Sequence, residues 1–203
     1  MTARLLIFIL PLVFLANVNG GPALSGSDWA RIQKGDPVLF AQNPECPDSG
    51  SKSYVNGAVL VGKSIDAVWD VLIDPESAPS YIADLESAKI IAKRGSSLFV
   101  EQGMSVRGLR HPVKYVLRMD PVHERKVTFE FQSGKLRAMD GGWYMYPVGD
   151  GRQTLLVYSL FLDPGRMAPK SLVKRSLQKK IPETLVAVRA EVLKRANAVA
   201  LAE

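Results

Sequence analysis

Residues 63–85 read KSIDAVWDVLIDPESAPSYIADL, and this stretch decides the fold. Four apolar side chains follow the spacing of one helical face: Ile65, Val68, Trp69 and Leu72. Ser64 stands where it can cap that helix. Proline fits the first turn of a helix but not its interior, so Asp74 and Pro75 predict the start of a second helix. The stretch therefore predicts two helices that meet at a sharp change of direction, with Trp69 packed on a sheet.

Strand-like segments lie on both sides of this stretch. Two strands are predicted before it, at 37–42 and 54–62, after a short helix at 28–35. Six strands are predicted after it, at 86–94, 97–104, 112–119, 126–132, 136–147 and 154–162. Short turns separate these six, which indicates an antiparallel meander.

The last part of the chain returns to helical periodicity. Apolar residues between 168 and 200 form one stripe, which predicts a long helix that crosses the sheet. Pro182 interrupts the stripe and is expected to kink or split this helix. The order of elements predicts an α+β fold, in which a curved antiparallel sheet wraps around a long C-terminal helix.

The first residues indicate export from the cytoplasm. A short positive segment that ends at Arg4 precedes the apolar run LLIFILPLVFLA at 5–16, and small residues follow. This order is typical of a secretory signal peptide, which we place at 1–23, with cleavage after Gly20 or Ala23. The run is shorter than the about 20 residues that a spanning helix needs, which makes an uncleaved membrane anchor the weaker interpretation. We therefore expect a secreted or periplasmic protein.

The remaining sequence predicts one domain. Residues 24–36 read as a linker and short helix, and 37–203 as a single globular unit. The formal charge of +6 permits attraction to anionic membranes but does not indicate a nucleic-acid partner. Cys46 is the single cysteine, so an internal disulfide is impossible. We interpret Cys46 as a loop residue and expect a monomer.

Residues for catalysis or metal binding are scarce. His111 and His123 are the two histidines, and both fall in predicted turns. No nucleophile, phosphate-loop or metal-ligand motif occurs in the sequence. The sequence therefore predicts no catalytic residue, no metal site and no cofactor.

Three stretches of the chain carry a recognisable pattern: VGKSIDAVWDVLIDPESAPSYIADL at 61–85, GGWYMYPVGDGRQTLLVY at 141–158 and DPGRMAPKSLVKRSLQKKIPETLVAVRAEV at 163–192. In this order they resemble the START-like (SRPBCC) superfamily, which includes polyketide cyclases and lipid-transfer domains. The resemblance spans about residues 36–200 and implies the helix-grip fold, with a cavity between the sheet and the last helix. In this superfamily the cavity commonly holds an apolar ligand. The strongly polar cavity residues of cyclases have no matching motif here.

The resemblance, together with strand parity, suggests which side chains line such a cavity. We expect ligand contacts from the inward faces of the strands, from the last helix and from two gate residues that follow the second short helix. The candidates are Tyr81, Ile82, Met104, Tyr115, Leu117, Phe129, Trp143, Met145, Leu156, Tyr158, Leu177, Ile181, Leu185 and Val188.

The last helix begins with a basic stretch, PKSLVKRSLQKK, at 169–180. It is either a solvated outer face or a docking surface for anionic lipid headgroups. The candidate membrane contacts are Lys170, Lys174, Arg175, Lys179 and Lys180.

Three functions remain open on this evidence. The preferred hypothesis is a secreted or periplasmic protein that binds a lipid or another apolar small molecule. A cyclase- or aromatase-type enzyme would use the same cavity and would need an inward acid or base. A non-catalytic interaction domain would act through the basic helix or the loop at 43–53.

Overall fold

A computed structural model describes residues 20–48, 50, 52–106, 109–166 and 168–201. Most of the predicted signal peptide lies outside these residues. Within them, no helix has both the length and the apolar character that a membrane span requires.

One eight-stranded antiparallel sheet organises the described chain. Its strands stand in the order β1-β2-β8-β7-β6-β5-β4-β3. The elements in chain order are α1 (Gly26–Gln33), β1 (Val38–Phe40), β2 (Val55–Val61), α2 (Ile65–Leu72), a 3₁₀ helix (Pro75–Ser80), β3 (Leu85–Arg94), β4 (Ser97–Met104), β5 (Val113–Val122), β6 (Lys126–Gly134), β7 (Ala138–Val148), β8 (Gln153–Asp163) and α3 (Lys170–Ala200). The predicted α+β helix-grip arrangement is confirmed, with every predicted strand present.

The two helices predicted within residues 63–85 meet at Asp74, as expected. Ser64 is the N-cap residue of α2, although its side chain makes no capping hydrogen bond. The second helix is a 3₁₀ helix, with Pro75 in its first turn and Pro79 inside it. Pro79 has no N–H to donate to the carbonyl four residues earlier, which disfavours a regular α-helix here. Trp69 is buried in the main core, as expected.

The long helix α3 packs on one half of the sheet. It contacts β1, β2 and β8 and the short helix α2. Gly57 on β2 permits the close approach, since a Cβ there would lie 2.6 Å from Ile181 and 2.9 Å from Leu185. Ile181, Leu185 and Val188 of α3 are at most 1% exposed. Any larger residue at position 57 would push α3 away from the sheet.

The expectation that Pro182 splits the last helix is wrong. The helix continues without a break from Lys170 to Ala200. Proline at 182 removes only the hydrogen bond to the carbonyl of Gln178, and Gln178 is exposed to solvent. Burial of Ile181 and Leu185 on either side of the proline holds the helix in place.

A second, smaller core covers the outer face of the sheet. Ile32 of α1 and Val38 of β1 are buried there against outward residues of β7 and β8. Cys46 is also buried, with its Sγ 2.8 Å from the hydroxyl of Tyr144. Arg189 of α3 donates to the carbonyl of Gly35 at 2.7 Å, which ties this layer to the long helix.

Candidate functional site

The inner face of the sheet forms a groove beside α3. Because α3 lies over β1, β2 and β8, inward side chains on the opposite half keep part of their surface exposed. They include Ile90 on β3, Leu98 and Met104 on β4 and Phe131 on β6. We call this space, bounded by α3 and the inward face of β3–β8, the groove.

Three aromatic rings form the wall of the groove. Trp143 on β7 stacks on Tyr158 of β8, with ring centroids 3.9 Å apart and an angle of 11° between the rings. The ring of Phe129 on β6 lies 6.2 Å from that of Tyr158. Tyr158 stays partly exposed although it sits on a central strand beneath α3. Of the three rings, Trp143 and Phe129 are buried, while Tyr158 keeps part of its surface uncovered by the protein's own side chains.

Gly141 lets β7 approach β8 closely beside this wall. It lies on β7, opposite Phe129 of β6 and Leu160 of β8. A Cβ at Gly141 would stand 2.0 Å from the carbonyl oxygen of Ser159, and the residue has φ of +155°. Only glycine fits this close backbone approach.

Two tyrosine hydroxyls supply polarity in the groove. Burial raises the pKa of Tyr115 on β5 and of Tyr158, and the nearby charge of Tyr115 adds to the effect on Tyr158. Neither hydroxyl has a hydrogen-bond partner among the described residues. Gln102 on β4, cross-strand from Tyr115, adds a neutral amide on the same face. Strand parity alone could have identified Gln102, but the sequence analysis did not select it.

All fourteen predicted ligand contacts lie in one apolar cluster. Nine are buried: Tyr115, Leu117, Phe129, Trp143, Met145, Leu156, Ile181, Leu185 and Val188. Five are partly exposed: Tyr81, Ile82, Met104, Tyr158 and Leu177. Ile181 and Leu185 fill the tight contact with Gly57 and belong to the packing between helix and sheet. The role of all fourteen in ligand binding stays a prediction.

The segment that joins α2 to β3 is held against α3 by an ion pair at each end of the segment. Arg195 donates to Asp74 at 3.0 Å, to Ser77 Oγ at 2.6 Å and to Glu191 at 2.9 Å. Lys180 lies 2.7 Å from Asp84 at the other end. We call residues 74–84 the strap.

The predicted gate residues, Tyr81 and Ile82, lie within this strap. The sequence analysis missed Arg195 and Asp84. The spacing of Glu191 and Arg195 is a recognisable helical pair, but nothing in the sequence shows their partners across the groove.

A pocket of about 100 Å³ opens where β8 ends and α3 begins. Val55, Leu162, Val173 and Leu177 supply apolar lining, and Lys170 and Lys174 also line it. We call this side of the molecule the open end. Ligand sites usually measure about 300–1,000 Å³. A lipid-sized molecule therefore needs more room than this pocket provides.

The five predicted membrane contacts differ in their surroundings. Lys180 is paired with Asp84 and with Glu183, and Lys170 stands 3.9 Å from Asp163. Lys174, Arg175 and Lys179 are exposed and have no ion-pair partner in the described part of the chain. Among the described residues, the unpaired charge is therefore concentrated in three of the five.

A polar pocket of about 260 Å³ lies on the outer face, under the loop before β2. There the Tyr54 hydroxyl donates to Asp140, and Lys52 is 3.0 Å from the same carboxylate. Burial raises the pKa of the Cys46 thiol, which keeps it protonated beside Tyr144. Among the described residues, no group of His, Cys, Asp and Glu side chains is arranged to hold a metal ion.

This geometry agrees with a family assignment. The model of the family described as polyketide cyclase / dehydrase and lipid transport matches residues 61–189. The chain belongs to that family, whose domains bind apolar ligands or lipids. No curated protein matches the sequence.

Solved structures share the fold at low sequence identity. An aromatase/cyclase from Streptomyces sp. R1128 is 19% identical, with a TM-score of 0.63 over 71% of this chain and 96% of that one. A STAR-related lipid transfer protein from Xanthomonas axonopodis is 14% identical, with a TM-score of 0.60 over 77% and 98%. A START superfamily protein from Mycobacterium smegmatis is 16% identical, with a TM-score of 0.60 over 70% and 97%.

The pairing of Glu191 predicts a pH-dependent stability. The hydrogen bond from Arg195 is the main cause that lowers the Glu191 pKa below its ordinary value of 4.5, against the opposing effect of burial. The ionised carboxylate therefore stabilises the fold above about pH 4.5, and this contribution is lost as pH falls through the folded-state pKa. Glu191→Gln should lower the free energy of unfolding by about 1 kcal/mol near neutral pH and by less in acid.

Urea unfolding at about pH 7 and about pH 4 measures this difference. Glu183→Gln, which changes a more exposed carboxylate on the same helix, is the control and should show a smaller effect at both values. If Glu191→Gln lowered the free energy of unfolding equally at both pH values, the stabilising role of the ionised carboxylate would be contradicted.

Proposed function

We propose that this protein is a carrier that holds a lipid or another apolar small molecule in the groove. The observation that carries the proposal is Tyr158, which lies deep beneath α3 and is stacked on Trp143, yet keeps exposed surface. Apolar surface exposed to water costs about 25 cal/mol per Å², so a ligand that covers it gains binding free energy. Membership of a family that binds apolar ligands or lipids supports the same function.

The described middle of the groove favours binding over catalysis. Its polar groups are neutral: the hydroxyls of Tyr115 and Tyr158 and the amide of Gln102. Burial raises the pKa of both tyrosines, which makes them weaker acids near neutral pH. The carboxylates that join ion pairs with α3 stand at the ends of the groove, as Asp74 and Asp84 do. A cyclase-type reaction would need an acid or base near the centre.

A charged substitution at the open end tests the carrier proposal. Leu177 lines the pocket at the open end, whereas Leu172 on the same helix is 58% exposed. Leu177→Arg should weaken binding of the neutral apolar dye N-phenyl-1-naphthylamine about tenfold or more, because it places a charge against the bound apolar surface. Leu172→Arg, the matched control, should leave binding unchanged. Dye fluorescence during titration is the measurement.

Two results would count against the carrier proposal. The first is absence of dye binding to the unchanged protein, together with absence of lipid in solvent extracts examined by mass spectrometry. The second is salt-dependent binding of a partner that Leu177→Arg does not affect, which would favour the interaction-domain hypothesis.

The proposal includes export. The order of residues at 1–23 supports a cleaved signal peptide. When the full chain is expressed in a bacterium, the protein recovered outside the cytoplasm should begin at Gly21 or Leu24. Intact-mass measurement checks this expectation, and protein that retains Met1 and stays in the cytoplasm would contradict it.

We also propose that the open end docks on an anionic membrane. Besides the three exposed basic residues of α3, neighbouring loops at this end expose Arg110, Lys135, Arg137 and Arg166. Leu109 and Leu172 are 53% and 58% exposed among these charges. Two of the acids at this end, Asp84 and Asp163, are already paired with lysines, while Glu86 is exposed. Excess positive charge with protruding leucines suits a surface of anionic lipid headgroups.

Charge reversal tests the docking surface. The triple variant Lys174→Glu, Arg175→Glu, Lys179→Glu should bind phosphatidylglycerol vesicles about a hundredfold or more weakly, at about 1 kcal/mol per charge. The control reverses three exposed charges on β3 (Lys89→Glu, Lys93→Glu, Arg94→Glu) and should bind far better than the α3 variant. Co-sedimentation at low and high salt is the measurement. The docking surface would be ruled out if the two variants lost vesicle binding equally. It would also be ruled out if the unchanged protein bound phosphatidylcholine vesicles as well as phosphatidylglycerol vesicles.

A further inference from the structure

We propose that the pocket at the open end binds the carboxylate head of a single-chain amphiphile, such as a fatty acid, between Lys170 and Lys174. The alkyl chain of that molecule lies against the apolar lining of the pocket. The inference rests on the proposed carrier function and names the chemical class of its ligand.

One face of α3 supplies both charge and apolar surface to this pocket. Lys170, Val173, Lys174 and Leu177 follow the spacing of one helical face, and all four line the pocket. Val173 is buried, whereas both lysines are exposed. A lysine can lay its apolar stem along such a surface while its ammonium group stays in water. The arrangement therefore places two cations at the rim of an apolar cavity.

The charges at the pocket favour a ligand with one negative charge. Of the described residues that line it, the charged ones are two lysines and one aspartate, Asp163, which leaves one positive charge in excess. The Nζ atom of Lys170 stands 3.9 Å from Asp163, which is too long for a hydrogen bond, so its N–H groups can still reach a ligand oxygen. Lys180, by contrast, is held in ion pairs of 2.7 Å and 3.0 Å. A bound carboxylate would neutralise the excess charge.

The volume of the pocket limits the shape of the ligand. It measures about 100 Å³, whereas sites for drug-sized molecules measure about 300–1,000 Å³. A ring system or a lipid with two chains is too wide for this space, while a single alkyl chain next to its head group is narrow enough. We therefore assign the pocket to the head and the first carbons of one chain.

The inner face of β8 connects the pocket to the aromatic wall. Side chains alternate between the two faces of a strand, so Leu162, Leu160 and Tyr158 form one row on the inner face. Leu162 lines the pocket, and Tyr158 is stacked on Trp143. The row spans about 13 Å, at about 3.3 Å per residue. A chain whose head lies at the rim would therefore point along this row, towards the exposed part of Tyr158.

The experiment compares three molecules that share one alkyl chain: decanoate, 1-decanol and decylammonium. At about pH 7 their heads are negative, neutral and positive, respectively. All three are used below the concentrations at which they aggregate, so that binding reports on the pocket and not on attraction to a membrane-like surface. Titration calorimetry gives each affinity. We expect decanoate to bind about tenfold more tightly than decylammonium, because the two lysines attract the first and repel the second.

Substitution of the lysines tests their role directly. Lys170→Gln and Lys174→Gln should each weaken decanoate binding about fivefold and leave 1-decanol binding unchanged, because each removes one partly exposed ion pair. Lys179→Gln is the matched control, since it removes the same charge from the same helix at an exposed position outside the pocket. It should change the affinity for decanoate far less than either pocket variant.

Three results would overturn the inference and leave the carrier proposal standing. The first is equal affinity for decanoate and decylammonium. The second is an equal loss of decanoate binding in Lys179→Gln, which would show a general attraction to the basic helix. The third is failure of all three molecules to bind while N-phenyl-1-naphthylamine still binds. If that dye also fails to bind and solvent extracts contain no lipid, the carrier function itself fails.

Discussion

The close approach of α3 to Gly57 is the contact on which the rest of the structure depends. Ile181 and Leu185 occupy the space that a side chain at position 57 would take. This contact fixes α3 over β1, β2 and β8, so α3 leaves the opposite half of the curved sheet uncovered. The position of the groove therefore follows from the glycine at position 57 of β2, which has no side chain.

The two sides of the groove differ in how firmly they are held. Truncation of a buried leucine such as Leu185 costs about 2–5 kcal/mol, so the contact between α3 and β2 is rigid. The strap is tied to α3 by side-chain pairs at Asp74 and Asp84, and partly exposed pairs contribute about 1 kcal/mol or less each. If the groove holds a ligand, as we propose, opening is expected to cost least along the strap, where Tyr81 and Ile82 lie.

Local pattern in the sequence was sufficient for most of the fold. Alternation of apolar residues located every strand to within about three residues and placed Trp143 and Tyr158 on the inner face. Features that depend on distant partners were not predictable in this way. Asp74 was predicted as a helix cap, but its bond to Arg195 joins residues far apart in the chain. Pro182 was misjudged because its effect depends on burial of its neighbours, not on proline alone.

The distribution of charge gives the groove its chemical character. Ion pairs stand at its two ends, at Arg195 and at Lys180, while the polar groups that the described residues place at the centre are neutral. Charges at the ends remain partly hydrated and cost little, whereas a charge at the centre would need a buried partner. An apolar interior that exposes surface to water lowers the stability of the empty protein. In the carrier that we propose, a bound ligand offsets this cost, so the same exposed surface would supply the affinity.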